Sequence, residues 1–215
     1  MKKTVSYFVF FFIAISVSAN GQRSKQNRYM FEEFTNGKVL MKNRGVVNTT
    51  FNYDWISQEI NYMNGQEQMI LTGLEMIDTV YMADRKFIPY GNIFLEVIPV
   101  GEDFLFVNWK MDVKNKGKAG AMGMTSHATT SQKVDVGNLK GHALEKSDIY
   151  VYDASFANTY YIRVDDKFKI FNSEKSFLKL FPKEKAEEIK AYIKKEHVDF
   201  KKPSDVITLV GYVVN

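Results

Sequence analysis

Cysteine is absent from the 215 residues of this chain, and only four prolines occur. Without cysteine the protein can form neither a disulfide bond nor a thiolate metal site. Its stability must therefore come from burial of apolar side chains and from hydrogen bonds. Aromatic residues supply much of that apolar surface, because they make up 14% of the sequence and are spread along it. Low-complexity tracts are also absent, which indicates a folded protein rather than a disordered one.

Long apolar runs are missing from the chain except at the N-terminus, where residues 5–17 form one. Lys2 and Lys3 precede this run, and small or polar side chains follow it over residues 18–22. A positive start, an apolar stretch of about 7–15 residues and small residues at a cut are the three parts of a secretory signal peptide. The sequence therefore predicts export.

The signal peptide is predicted to be cut between Ala19 and Gln22. Signal peptidase needs small side chains one and three residues before the cut, which allows cleavage before Asn20 or before Gln22, and we prefer the second. The apolar run is shorter than the roughly 20 residues of a spanning helix, and a lipid anchor would need a cysteine after the cut. We therefore expect a soluble mature chain without a transmembrane anchor, periplasmic or extracellular.

The net charge of the chain is +4 at pH 7, and its sequence pI is near 9.0. Two lysines of the predicted signal peptide contribute half of that charge, so the mature form would carry +2. Nucleic-acid binding needs a concentrated basic face, whereas lysines and acids interleave along this chain. The local basic run at Lys110, Lys114, Lys116 and Lys118 is typical of a solvated loop. We predict no binding to nucleic acid.

Short strands are predicted from about residue 36 to residue 113. The Asn-Gly pairs at residues 36–37 and 64–65 are typical of tight hairpin turns, and Gly101 stands first in a third turn. The strand after that third turn, over residues 103–113, carries the most apolar side chains. One of its faces consists of Leu105, Val107, Trp109, Met111 and Val113, and the other begins with Phe104 and Phe106 before it turns polar at Asn108.

The C-terminal part of the chain changes to a helical period. Asn172 or Ser173 is a suitable cap for a short first helix, and Pro182 suits the first turn of a second helix over residues 183–196. Pro203 is expected to start a last helix, with a closing strand over residues 206–214 as the alternative. The fold class is therefore α+β, an antiparallel β-meander (a sheet or a partial barrel) followed by two or three C-terminal helices.

The predicted domain organisation has three parts. Residues 1–21 form the signal peptide and residues 22–35 a flexible lead-in. Residues 36–215 form a single mature domain, β-rich to residue 171 and helical from residue 172. Residues 114–147 interrupt the strand pattern and are interpreted as a long loop with one short strand near residues 133–136.

Glycines in that loop are the first candidate for a ligand-binding site. Gly117, Gly120 and Gly123 follow a strand, and His127 lies close behind them. Glycine-rich loops can cradle phosphate, but the dinucleotide and P-loop motifs need a helix that starts at the loop. Residues 125–131 are a poor helix start. The loop is therefore a candidate only because long loops often carry function.

Three stretches of the sequence carry a resemblance to a known family. They are NYDWISQEINYM with the later IDTVYMADRKFIP, the glycine loop GKAGAMGMTSHATTS, and the tail FNSEKSFLKLFPKEKAEEIKAYIKKEHVDFKKPSDVITLV. On these stretches the chain resembles a family of uncharacterised exported proteins of Gram-negative bacteria, with a β-rich body and a lysine-rich helical C-terminus. The resemblance covers nearly the whole mature chain. It implies an intact single domain in the cell envelope or outside the cell, and no catalytic residue.

Residues with catalytic or metal-binding chemistry are few. No two of His127, His142 and His197 have the spacing of a helical zinc pair, although His127 could meet His142 in space. We therefore predict no metal site and no cofactor. A serine-nucleophile motif is absent, and paired carboxylates would have to meet in the fold. The acids on or beside predicted strands are Asp54, Glu59, Glu96 and Asp112.

Together these features predict an exported, non-catalytic binding or structural module of the bacterial cell envelope, with a partner that the sequence does not identify. Two alternatives stay open. A strongly aromatic sheet backed by helices can enclose an apolar pocket, as in a lipid carrier. Carboxylates or histidines that meet only in the fold could form an exported hydrolase acting on glycan or peptide.

Overall fold

The computed structural model describes residues 28–118, 150–164 and 167–214. An antiparallel meander is followed by C-terminal helices, so the predicted α+β class is confirmed. The strands are β1 (Thr35–Met41), β2 (Val46–Asp54), β3 (Glu59–Asn64), β4 (Glu67–Ile70), β5 (Ile77–Met82), β6 (Arg85–Tyr90), β7 (Ile93–Val100), β8 (Asp103–Asn108), β9 (Met111–Lys118), β10 (Tyr150–Phe156), β11 (Thr159–Val164) and β12 (Lys167–Phe171). The helices are α1 (Glu174–Leu178), α2 (Lys183–Glu196) and α3 (Pro203–Val214), and a 3₁₀ turn spans Leu74–Met76.

Ten of these strands form one sheet in the order β12-β11-β8-β7-β6-β5-β1-β2-β3-β4. Strands β9 and β10 pair only with each other, as a ribbon between β8 and β11 in sequence. Strand β3 also lies against β7, although four strands separate them in the sheet. The sheet therefore curls strongly at the β1–β7 end. We call its concave, helix-covered side the inner face and its other side the outer face.

Two of the three predicted hairpin turns are confirmed. Gly65 and Gly101 stand first in the β3–β4 and β7–β8 turns with φ of 63° and 62°. The prediction of a turn at residues 36–37 is wrong, because these residues lie inside β1. The turn after β1 is closed instead by two backbone hydrogen bonds: the Met41 amide donates to the Gly45 carbonyl, and the Arg44 amide donates to the Met41 carbonyl. Arg44 has φ of 69°.

Gly37 has a packing role in place of the predicted turn. Strand β1 lies between β2 and β5, and a Cβ atom at Gly37 would be 2.2 Å from the carbonyl oxygen of Tyr81 and 2.8 Å from a ring carbon of Phe51. Neither a paired carbonyl nor a fully buried ring can move away easily. Glycine is therefore required here by a close approach of neighbouring strands.

The long strand predicted over residues 103–113 is interrupted at Trp109 and Lys110. Strand β8 stays in the sheet between β7 and β11, whereas β9 leaves it. The bend is held by two contacts with the end of β2: the Tyr53 hydroxyl donates to the carbonyl of Trp109 at 2.8 Å, and the Met111 amide donates to the carbonyl of Trp55 at 2.8 Å. A period-two pattern cannot show such a bend, because the alternation of side chains continues through it.

The C-terminal helices begin where the sequence predicts, and the second also ends there. The Ser173 side chain caps α1 in a capping box with Ser176, Pro182 precedes α2, and His197 ends α2 in the left-handed conformation with φ of 52°. Residues 203–214 form helix α3 rather than the alternative strand. In the described chain no helix is long and apolar enough to cross a membrane.

The core lies between the inner face of the sheet and these helices. From the helices it takes Phe177 of α1, Ile189 and Ile193 of α2, and Val206, Leu209 and Val210 of α3. From the curled part of the sheet it takes Val39, Phe51, Tyr53, Ile60, Val80, Met82, Phe87 and Phe94. Most of the aromatic residues were predicted to be core, and these strands place many of them there.

Residues 28–34, part of the predicted lead-in, lie against β2. The Arg28 guanidinium is paired with Asp54 at 2.5 Å, the Met30 amide donates to the Tyr53 carbonyl, and the Asn52 side chain exchanges hydrogen bonds with the backbone of Phe31. These contacts extend the folded part of the chain back to Arg28. The predicted signal peptide lies outside the described residues.

The crowding around Gly37 predicts that a single added methyl group destabilises the fold. We expect Gly37→Ala to lower the free energy of unfolding by about 1–3 kcal/mol, because β1 and β5 must separate to admit it. Gly211→Ala is the matched control. Its Cβ would meet a single side-chain methyl of Val100 at 3.3 Å, a much smaller overlap than at Gly37, and alanine favours helix α3. Urea unfolding measures the free energy of unfolding of both variants. An equal loss of stability in Gly37→Ala and Gly211→Ala would contradict the expectation.

Candidate functional site

The predicted glycine-loop candidate is only partly within the described residues. Gly117 lies in strand β9, which runs to Lys118, so the predicted loop does not begin at residue 114. Gly120, Gly123 and His127 lie outside the described residues, as does His142. These candidates therefore remain predictions.

The four candidate carboxylates do not form one site. Asp112 is half-exposed and pairs with the neighbouring Lys110 at 2.9 Å. Asp54 is buried, pairs with Arg28 and accepts the backbone amides of the following turn, with the Ile56 amide at 2.9 Å. Such a carboxylate holds a turn in place. Glu59 lies opposite Asp54 in the β2–β3 register and is half-buried.

Glu96 is the carboxylate inside the core, on the inner face of β7. It accepts a hydrogen bond from Arg85 at 3.1 Å and another from the indole nitrogen of Trp109. The pKa of Glu96 is raised, mainly because burial disfavours its charged form; Arg85 and Trp109 act in the opposite direction. Burial likewise raises the pKa of Tyr53. Because Glu96 is enclosed by its partners, it is a structural group rather than a catalytic acid.

Metal binding finds no support in the described ranges, where no three His, Asp or Glu side chains come together.

The hollow between the helices and the sheet is small, at about 270 Å³. Phe177, Val210 and Val213 form its apolar side, and Arg163 and Lys185 stand at its rim. Sites for small molecules usually measure about 300–1,000 Å³. A lipid carrier would require a larger enclosed space.

The most distinctive surface of the molecule is an aromatic patch on the outer face of the sheet. It arises because β7, β8 and β11 carry apolar residues on both faces, unlike sheets with one solvated side, and β12 adds Phe168 and Ile170 to the outer face. Leu95 is fully buried beneath the patch. The residues Tyr90, Phe104, Phe106, Tyr161, Phe168 and Ile170 form what we call the outer aromatic surface.

The rings of this surface hold one another in place edge to face. Phe168 lies at the centre, with its ring centroid 4.7 Å from that of Phe106, 5.0 Å from Tyr90 and 6.2 Å from Tyr161. Edge-to-face pairs at such distances add about 0.5–1.5 kcal/mol beyond the area they bury. The patch is therefore a rigid, preformed surface.

Arg163 lies on the same face, with its guanidinium 5.8 Å from the ring centroid of Phe106 and 5.4 Å from that of Phe168. Both distances are within the range of a cation–π interaction. The side chain is exposed, and none of the salt bridges in the described chain involves it. Its N–H groups are thus oriented by the rings and can meet an acceptor from outside.

Part of this surface is in contact with solvent to an unusual degree. Phe104 is 49% exposed, Ile170 is 57% exposed and Tyr90 is 41% exposed. Large apolar side chains that lie together in the open mark binding sites more often than single exposed ones. Within the described ranges, this is where the arrangement of residues points most directly to a function.

Sequence reasoning found only part of this surface. Phe104 and Phe106 were identified as the start of a second apolar face, but Tyr161, Phe168 and Ile170 were not singled out. The available signal was the run of consecutive apolar residues in β7 and β11, since a one-sided sheet would alternate. The strand order, which places β6, β7, β8, β11 and β12 side by side, could not be predicted from the sequence.

The raised pKa of Glu96 predicts a pH dependence of stability. A carboxyl whose pKa is higher in the folded than in the unfolded chain stabilises the fold at low pH, and this stabilisation is lost as pH rises through the folded pKa. Relative to Glu96→Gln, the wild-type protein should thus lose stability between acidic and neutral pH. Urea unfolding from acidic to neutral pH measures this, and the exposed Glu102→Gln is the control. A pH-independent difference would contradict the assignment.

Comparisons with known proteins were made at three levels. No protein-family model matches the chain, no curated protein matches it, and no solved structure matches it. The resemblance to a family of exported proteins therefore remains a prediction from sequence, and the function has to be argued from the chain's own geometry.

Proposed function

We propose that this chain is an exported, non-catalytic binding module of the bacterial cell envelope, and that its outer aromatic surface docks on a partner protein. The observation that carries the proposal is the group of rings held rigidly on the outer face, with Phe104 and Ile170 about half exposed. The export part of the proposal is supported by the signal-peptide pattern of residues 1–21.

The composition of the surface favours a protein partner. Aromatic residues and arginine are enriched at protein interfaces, and they dominate the residues whose truncation weakens binding most. Rings already held by their neighbours lose little conformational freedom on binding, which lowers the cost of association. Phe106, Phe168 and the Arg163 between them meet both conditions.

Charges on the same face indicate the chemistry of the partner. Lys38 and Lys86 lie opposite Tyr81 in the registers of β1 and β6 with β5, and Lys38 is 5.2 Å from its ring centroid. With Arg163 they make the outer face cationic, and none of the three is in a salt bridge within the described chain. We therefore propose an apolar partner surface with acidic side chains. A second copy of this chain fits less well, because like charges would meet.

The two alternatives from the sequence stay predictions. A lipid carrier asks for a larger cavity than the hollow beside Phe177. Among the buried acids, Asp54 and Glu96 are each paired with an arginine, and neither forms the pair of free carboxylates that a hydrolase needs. Neither alternative makes use of the outer aromatic surface.

Export predicts a defined N-terminus for the mature protein. We expect expression of the full chain in a Gram-negative host to give a product outside the cytoplasm that begins at Gln22 or Asn20, because small residues precede both cuts. N-terminal sequencing and intact mass measure this. Replacing Ala19 and Gly21 with bulky residues should block or move the cleavage. A product that stays in the cytoplasm with residues 1–21 attached would contradict export.

Docking predicts a position-dependent crosslink in the native host. A photoreactive phenylalanine at Phe104 or Ile170 should give a discrete adduct of one partner, because both side chains are exposed within the outer aromatic surface. The same group at the exposed Glu187 of α2 should give none. Adding Arg163→Glu should reduce the adduct roughly fivefold or more, since losing an interface arginine commonly costs over about 1 kcal/mol.

The outcomes of this experiment are distinct. Equal crosslinking from residues 104 and 187, or none from residues 104 and 170, would overturn the docking proposal. An adduct at twice the mass of the chain would identify a second copy as the occupant and overturn the acidic-partner assignment. Circular dichroism and urea unfolding of each variant control for folding, and substitutions at exposed sites should leave stability nearly unchanged.

A further inference from the structure

A second site lies at the curled end of the sheet, apart from the outer aromatic surface. It is an open groove of about 480 Å³, within the size range of small-molecule sites. Three connections border it: the β2–β3 turn, residues 70–75 after β4, and the β6–β7 turn, with Lys42 beside them. We call it the turn groove. It exists because the curl brings β3 against β7.

The walls of the turn groove are built from fixed turns. Gln58, Gly73 and Gly91 all have left-handed backbones, with φ of 60°, 72° and 59°. Backbone hydrogen bonds close these segments: the Gln58 amide donates to Asp54, the Leu71 amide donates to Ile60, and the Lys42 amide donates to Met76. The groove is therefore largely preformed and does not depend on a ligand for its shape.

The groove combines an apolar floor with a polar rim. Phe94, Leu71 and Leu74 supply the floor, and Phe94 is buried. The rim carries the polar side chains of Lys42, Gln58, Glu59, Thr72, Glu75 and Asn92. None of these side chains takes part in a hydrogen bond or salt bridge recorded for the described chain. Their capacity for hydrogen bonds is thus available to a ligand.

The rim is richer in acceptors than in donors. The carboxylates of Glu59 and Glu75 only accept hydrogen bonds, the amides of Gln58 and Asn92 do both, and Lys42 only donates. Such a rim suits a ligand with many hydroxyl donors. An extended peptide fits less well, because it offers donors and acceptors in equal number along its backbone.

The apolar floor and the charge of the rim narrow the ligand further. A sugar ring presents C–H groups on its faces and hydroxyls at its edge, which matches apolar side chains such as Phe94 and Leu71 beneath a polar rim. An anionic ligand would bring further hydrogen-bond acceptors to a rim that already has an excess of them, with two carboxylates against one ammonium. The net charge is too small to select a cation, because exposed charges are screened by salt. We propose that the turn groove binds a neutral glycan segment.

The test is an NMR titration of the mature chain with maltotriose, cellotriose and N,N′-diacetylchitobiose, and with digalacturonate as the anionic comparison. We expect at least one neutral glycan to shift the backbone amides of Thr72, Gly73 and Asn92 in a saturable way, and digalacturonate to shift none of them. Combining Glu75→Gln with Asn92→Ala should raise the Kd roughly tenfold, because two hydrogen bonds to the ligand are removed.

A matched control uses the same two changes outside the groove. Glu67→Gln with Asn64→Ala alters exposed residues at the β3–β4 turn and should leave the Kd within about twofold. No saturable shift up to about 10 mM of any neutral glycan would overturn the proposal. So would equal binding of digalacturonate, or a Kd unaffected by the groove variants. The crosslinking experiment probes the outer aromatic surface, whereas the titration probes the turn groove. Either proposal can therefore fail while the other holds.

Discussion

Burial of the inner sheet face without any disulfide is the constraint on which the rest of this structure depends. A sheet of ten strands has a large apolar side, and two devices cover it. At one end the sheet curls until β3 lies against β7. At the other end α1 and α3 pack on β7, β8 and β12, and α2 packs on α1. Gly37 belongs to the first device, since only glycine permits the approach of β1 to β5. Phe177 and Leu209 belong to the second.

Buried polar groups make the curl specific. Tyr53 donates to the carbonyl of Trp109, and Glu96 accepts from Arg85 and Trp109. Asp54 accepts the backbone amides of the β2–β3 turn and pairs with Arg28. A buried polar group that loses its partner costs about 1–3 kcal/mol, so these contacts restrict the ways in which the strands can be arranged. The bend at Trp109 and the fixed β2–β3 turn follow from these contacts.

The outer face is not required for this burial. Phe104, Tyr90 and Ile170 remain in contact with solvent, so they add little to the stability of the monomer. A fold that needed only its core could carry polar residues there, as one-sided antiparallel sheets do. The proposed binding function rests on this exposed apolar surface, together with Arg163 and the two lysines on the same face of the sheet. The buried acids Asp54 and Glu96, in contrast, are held in ion pairs with arginines.

Local patterns in the sequence determined the α+β class, the turns at Gly65 and Gly101, and the helices that begin after Ser173 and Pro182. These features depend on neighbours in the chain: glycine allows a left-handed turn and a serine caps the helix that follows it. Local patterns could not show that residues 36–37 lie in a strand, because the crowding at Gly37 comes from β5, which is distant in sequence. Nor could they predict that Phe104, Phe168 and Tyr90 lie together, or that three turns border one groove. Those arrangements follow from the strand order and the curl of the sheet, which only the tertiary structure decides.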